Sequence, residues 1–145
     1  SVTPSTTQVE AVVSAARDKL KRALDAAQNI KDTLGETSKV LKADEVLGKL
    51  SPIMRSEHPK VCVEVDTIVG VLTAGMDEVD KTQTVGPVGG TLLEALGAAQ
   101  HLRETIRCSH LQSVLRRYDS VNRRIDTMID VVYNEIDDVM QLPST

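Results

Sequence analysis

The stretch STTQVEAVVSAARDKLKRALDAAQNIKDTL, residues 5–34, shows most clearly what kind of protein this chain forms. Its apolar residues recur at intervals of three and four, which is the stripe of an amphipathic helix. These positions are Val9, Val12, Val13, Ala16, Leu20, Ala23, Leu24, Ala27, Ile30 and Leu34. Gly35 follows the last of them, and glycine commonly ends a helix at this place. The sequence therefore predicts a first helix over 5–34.

Two further helices are predicted in the next part of the chain. A short one covers 38–50, with Val40, Leu41, Leu47 and Leu50 inward. The next covers 59–81, and Pro59 is expected to open it because proline is well tolerated at the first helical position. Residues 61–65 also alternate like a strand, but the helical spacing continues for four more turns.

The last part of the chain repeats the helical pattern after a loop at 82–90 (TQTVGPVGG). A fourth helix is predicted over 91–107, and the pattern then runs from 111 to 139. The spacing slips at 108–110, which predicts a kink or a break there. The expected architecture is a single-domain, all-α antiparallel bundle of four to five helices over residues 1–145. The two end helices, of about 30 residues each, should form its long pair.

The composition excludes several classes of function. The chain of 145 residues has no Phe, no Trp and only two Tyr, and its net charge is −4. Rings for stacking on single-stranded nucleic acid are missing, and a net negative charge does not attract the phosphate backbone, so no nucleic-acid partner is expected. No apolar run reaches the roughly 20 residues of a membrane-spanning helix, so no transmembrane segment is expected.

The two cysteines predict a disulfide. Cys62 precedes the loop by about as many residues as Cys108 follows it, so an antiparallel hairpin would bring both to the same height. A Cys62–Cys108 bond belongs in an oxidising compartment, and the chain begins at Ser1 without Met; together these predict a secreted protein. Two alternatives stay open: a pair of buried, reduced thiols, or a zinc site that adds His58 and His110.

No catalytic residues are predicted, because no nucleophile and base stand at a recognisable spacing and a disulfide would consume the thiols. The protein is therefore expected not to be an enzyme, and neither a metal nor a cofactor is expected. The three histidines are interpreted as exposed residues near helix ends.

Glycines inside the helices suggest an apolar cavity. Gly48, Gly70, Gly75 and Gly97 lie within helical patterns, where each costs about 1 kcal/mol relative to alanine. Such positions mark either close helix packing or space for a ligand. The predicted ligand-binding residues are aliphatic side chains for an apolar tail and two arginines for an acidic head group: Leu72, Met76, Leu96, Leu115, Ile125, Arg103 and Arg107.

The sequence thus predicts a secreted, non-enzymatic protein that carries or sequesters an apolar small molecule or lipid. The alternative is a secreted protein-interaction module, an inhibitor or host-directed factor, that binds a protein partner through its charged last helix. Residues 101–124 carry six arginines against Glu104 and Asp119, a net of +4, and residues 125–145 carry five acids and no Lys or Arg. That polarity favours either an acidic ligand or a charged protein surface.

Overall fold

The computed structural model describes residues 6–43, 51–109 and 111–143. These residues form four long helices and no strand, which confirms the all-α class. The long helices are α1 (Thr6–Ala43), α2 (Ser51–Thr82), α3 (Gly89–Cys108) and α5 (Asp119–Met140). A five-residue helix, α4 (Leu111–Leu115), precedes α5, and a 3-10 turn at Gly86–Val88 precedes α3.

The four long helices pack antiparallel in a ring. Helix α1 packs on α2 and α5, and α3 closes the ring between α2 and α5. Ion pairs show that α1 and α2 run in opposite directions: Arg17 meets Asp80, and about four turns of α2 nearer its start Asp66 meets Lys31. Within this ring lies one cluster of buried aliphatic side chains. On α1 the buried stripe includes Leu20, Ile30 and Leu34, each 0% exposed, as the spacing predicted.

Helix α1 does not end at Gly35. It continues to Ala43, so part of the predicted second helix belongs to the first, while residues 44–50 lie outside the described part of the chain. Buried Thr37 and Leu41 extend the core-facing stripe of Leu34. Packing of this stripe outweighs the weak helix preference of one glycine, since tertiary contacts supply most helical stability. Val40, predicted to face inward, is 51% exposed.

Helix α2 begins eight residues before its predicted start. Pro52 lies in its first turn, whereas Pro59 lies inside the helix on an exposed position. Both prolines are sequence signals of the same kind, and only the packing of Met54, which is 1% exposed, shows that the helix has already begun before Pro59.

The helical pattern of residues 91–139 is interrupted twice. The break expected near 108–110 is present: α3 ends at Cys108, and Ser109 is extended. A second break, which the spacing did not reveal, lies at Tyr118, whose φ of −120° and ψ of 73° are not helical. Because Val114 and Leu115 are buried on one side of it and Ile125 on the other, the apolar period passes through the break unchanged.

The predicted Cys62–Cys108 disulfide is wrong: both cysteines are free. The predicted heights are nearly right, because Glu64 of α2 bonds Thr105 of α3 at 2.8 Å. The assumption that the two cysteine side chains point towards each other is wrong. Cys62 lies one turn from Asp66, whose carboxylate bonds Lys31 of α1, so this side of α2 faces α1. Cys108 is exposed at the last residue of α3.

Candidate functional site

The seam between α3 and α5 holds two adjoining cavities. Among the four neighbouring pairs of long helices, this pair packs least extensively. One cavity, of about 300 Å³, is lined by Arg103, Ile106, Arg107, Gln112, Arg116, Asp126 and Ile129. The other, of about 340 Å³, is lined by Ala99, Gln100, Arg103, Glu104, Ile129 and Tyr133. Arg103 and Ile129 line both, so we call the two together the α3–α5 groove.

The helical period explains why these residues meet. Ala99, Ile106 and Ile129 are almost completely buried and form an apolar floor. Arg103 and Arg107 are one turn apart on α3, and Arg103 reaches across to α5, so this side of α3 faces the groove. Arg116 follows α4 directly. It lines the same cavity as Arg107, although the two residues belong to different segments of the chain.

The electrostatics differ along the groove. At one end Arg107 and Arg116 are exposed, and Arg107 has only a 3.7 Å contact with Glu104. In the middle Arg103 pairs with Asp130. At the other end Tyr133 adds one of the chain's two aromatic rings. The groove therefore has a cationic end and a more apolar end.

The predicted ligand-binding residues divide into two groups. Arg103 and Arg107 line the α3–α5 groove together. None of the five predicted aliphatic residues lines this groove. Leu72, Leu115 and Ile125 are buried in the core. Met76 and Leu96 are half-buried at the edge of the core. Gln112 and Tyr133 were not predicted as site residues, because no sequence pattern shows which helix pair packs least.

Of the helical glycines that the structure describes, Gly70 and Gly97 mark neither close packing nor a cavity. Gly70 and Gly97 are exposed, and a side chain added at either would meet no atom within 4 Å. A Cβ added at Gly75 would lie 3.7 Å from Cδ2 of Leu92, which is an ordinary contact distance. Gly48 lies outside the described residues.

The acids of the last helix are largely paired within the molecule. Asp138 lies 3.7 Å from Lys19, Glu135 bonds Arg22 at 3.1 Å, and Asp130 pairs with Arg103. The hydrogen bond to Glu135 raises the pKa of Arg22. These acids therefore connect α5 to α1 and α3, and less of their charge remains for a protein partner.

His58 and Cys62 lie one turn apart on α2, and their side chains are in contact. The two ring nitrogens of His58 lie 3.7 and 3.6 Å from Cys62 Sγ. Burial raises the pKa of the Cys62 thiol and lowers the pKa of His58, so both groups favour their neutral forms. An uncharged thiol is a poor nucleophile and a poor metal ligand. Among described residues no three metal-binding side chains come together, and His110 of the predicted zinc set lies outside them.

A separate groove of about 280 Å³ lies between α1 and α5 near the break at Tyr118. Its lining includes Thr33 and Thr37, the two buried polar residues of the described chain, and the exposed Val40. Arg124 at its edge is held by Asn29 at 2.9 Å. This groove has one guanidinium and one carboxylate, Glu36, and so lacks the cationic end of the α3–α5 groove.

Within the described part of the chain, no helix combines the length and apolar character that crossing a bilayer requires. Comparison of the chain with protein-family models, with curated proteins and with solved structures finds no match.

Proposed function

We propose that this protein is a non-enzymatic binding protein for an amphiphilic small molecule or lipid with an acidic head group. The ligand lies in the α3–α5 groove, with its head at the end formed by Arg107 and Arg116. Its apolar part follows the floor of Ala99 and Ile129 towards Tyr133. The observation that supports this most is that two cavities, one with three arginines and one more apolar, adjoin at Arg103.

The size of the groove agrees with such a ligand. Sites for small molecules are usually about 300–1,000 Å³ and mostly apolar, with a few polar groups that fix orientation. Each cavity alone, at about 300 and 340 Å³, lies at the lower limit of that range. A ligand that occupies both would have room for a chain as well as a head group.

The arginines favour a carboxylate or phosphate as the head. A guanidinium presents several donors in one plane and can bind such groups through two parallel hydrogen bonds. Arg116 has no acidic partner among the ion pairs of the described residues, and the Arg107 contact with Glu104 is long. Both guanidinium groups are therefore available to a ligand.

The first experiment is a binding series of straight-chain carboxylates from hexanoate to dodecanoate, measured by calorimetry. Each methylene that enters the groove should contribute about 0.8 kcal/mol, or about fourfold in affinity, until the chain outgrows the groove. Bound ligand should also raise the melting temperature by mass action.

Two matched variants locate the site. Gln100 and Glu94 are both exposed on α3, but only Gln100 lines the groove. Gln100→Trp should block the groove and abolish the dependence on chain length, whereas Glu94→Trp should leave binding unchanged. Absence of binding across the whole series, or equal binding by both variants, would contradict the proposal.

The alternative function, a module that binds a protein through the last helix, stays a prediction. Secretion also stays a prediction, and the free cysteines remove the disulfide from its support.

A further inference from the structure

We propose that Arg103 recognises the acidic head of the ligand and that Asp130 competes with the ligand for it. This inference rests on the proposed function, and to Arg103, already a head-group candidate from the sequence, it adds an internal competitor at the same groove. Arg103 stands between the two cavities, since it lines both of them. Its guanidinium can therefore meet a ligand in either half of the groove.

The contact between Arg103 and Asp130 uses only part of the guanidinium. Nη2 of Arg103 donates to Oδ1 of Asp130, while Nε of Arg103 is buried and has no hydrogen-bond partner. A guanidinium can bind a carboxylate through two nitrogens at once, and a buried donor without an acceptor is unfavourable. The present pair therefore leaves one donor of Arg103 unsatisfied, and a second anion could satisfy it after the side chain turns.

Release of Arg103 from Asp130 is not costly for the protein. The Asp130 side chain is 58% exposed, so water can solvate its carboxylate when Arg103 leaves. Exposed ion pairs contribute little to stability because solvent screens them. When Arg103 turns towards Arg107 and Arg116, three guanidinium groups face one head group, and the side chain no longer separates the two cavities.

Competition makes a quantitative prediction. A ligand that must displace Asp130 binds less tightly than it would to free Arg103. Removal of the Asp130 charge should therefore strengthen binding of an anionic ligand by about two- to fivefold, the range set by an exposed ion pair. A neutral ligand of equal length does not compete for Arg103 and should gain nothing.

The test compares decanoate with decanol on four proteins by calorimetry: the wild type, Asp130→Asn, Asp126→Asn and Arg103→Gln. Asp126 is the matched control, because it lines the arginine end of the groove but has no ion pair with Arg103 in the structure. Asp130→Asn should bind decanoate about two- to fivefold more tightly, with decanol unchanged. Arg103→Gln should reduce the preference for decanoate over decanol, and the part that remains comes from Arg107 and Arg116.

The outcomes separate the two levels of the proposal. If Asp126→Asn strengthens decanoate binding as much as Asp130→Asn does, general electrostatics explain the effect and Asp130 is not a competitor. If decanoate binds the wild type but Arg103→Gln keeps the same preference, Arg103 does not recognise the head, and the proposed function still stands. If no protein in the set binds either compound, the proposed function itself is wrong.

Discussion

At the scale of single residues, two side chains of the same type and similar spacing can differ in burial and in their neighbours. Cys62 and Cys108 were paired by their distance from one loop, yet one lies half-buried beside His58 and the other is exposed. The direction of each side chain around its helix determines this difference. A spacing argument gives height along a helix axis, and it gives the direction only where the start and the neighbours of the helix are known.

The cysteines should differ in reactivity towards iodoacetamide at neutral pH. Burial raises the pKa of the Cys62 thiol, so less of it is present as the reactive thiolate. We expect Cys108 to be alkylated first and Cys62 several times more slowly, as followed by intact mass with Cys108→Ser and Cys62→Ser as controls. A mass about 2 Da below that of the reduced protein, with neither thiol alkylated, would show that the two cysteines do form a disulfide.

At the scale of helices, the two prolines of α2 show how context changes the meaning of one residue. Pro52 lies in the first turn, where the missing N–H has no intrahelical acceptor to bond. Pro59 lies inside the helix, where it removes a hydrogen bond and crowds the carbonyl of Arg55. Helix α2 tolerates it on a solvent-exposed position, where that carbonyl can turn towards water.

Pro59→Ala should therefore stabilise the protein. Proline in a helix interior is less favourable than alanine by about 3 kcal/mol, and loss of its stiffening effect on the unfolded chain removes part of the gain. We expect the free energy of unfolding to rise by about 1–3 kcal/mol in urea titrations. Pro52→Ala is the matched control and should change it by less than about 1 kcal/mol. An equal gain from both substitutions would show that Pro59 is not inside a helix.

At the scale of the whole molecule, one aliphatic core holds four helices without a single Phe or Trp. Leu, Ile, Val and Ala fill the space between the helices, and α1 contributes the longest buried stripe. Ion pairs such as Arg17–Asp80 and Lys31–Asp66 lie at the rims of the seams and are exposed. Such pairs add little stability, so the aliphatic core is the main source of it.

Two leucines test this view of the core. Leu20 is 0% exposed on α1, whereas Leu93 is 59% exposed on α3. Leu20→Ala should lower the free energy of unfolding by about 2–5 kcal/mol, because it removes buried methyl groups and leaves a cavity. Leu93→Ala should change it by no more than about 0.5 kcal/mol. Similar values for the two variants in urea titrations would contradict the packing described for α1.

The sequence by itself determined the all-α class, the loop before α3, the break after Cys108 and most of the buried positions. These features follow from the helical period and from turn residues, which act between neighbours along the chain. It also identified Arg103 and Arg107 as ligand-binding candidates, since charge is visible without a structure.

Only the tertiary structure decided the remaining features. Packing of Thr37 and Leu41 carries α1 past Gly35, and the interruption at Tyr118 keeps the same face inward, so the period cannot reveal it. The direction of Cys62 towards α1 and the loose seam between α3 and α5 depend on contacts between residues far apart in sequence. A periodic pattern records which residues are buried, but the choice of partner helix is made by packing in three dimensions.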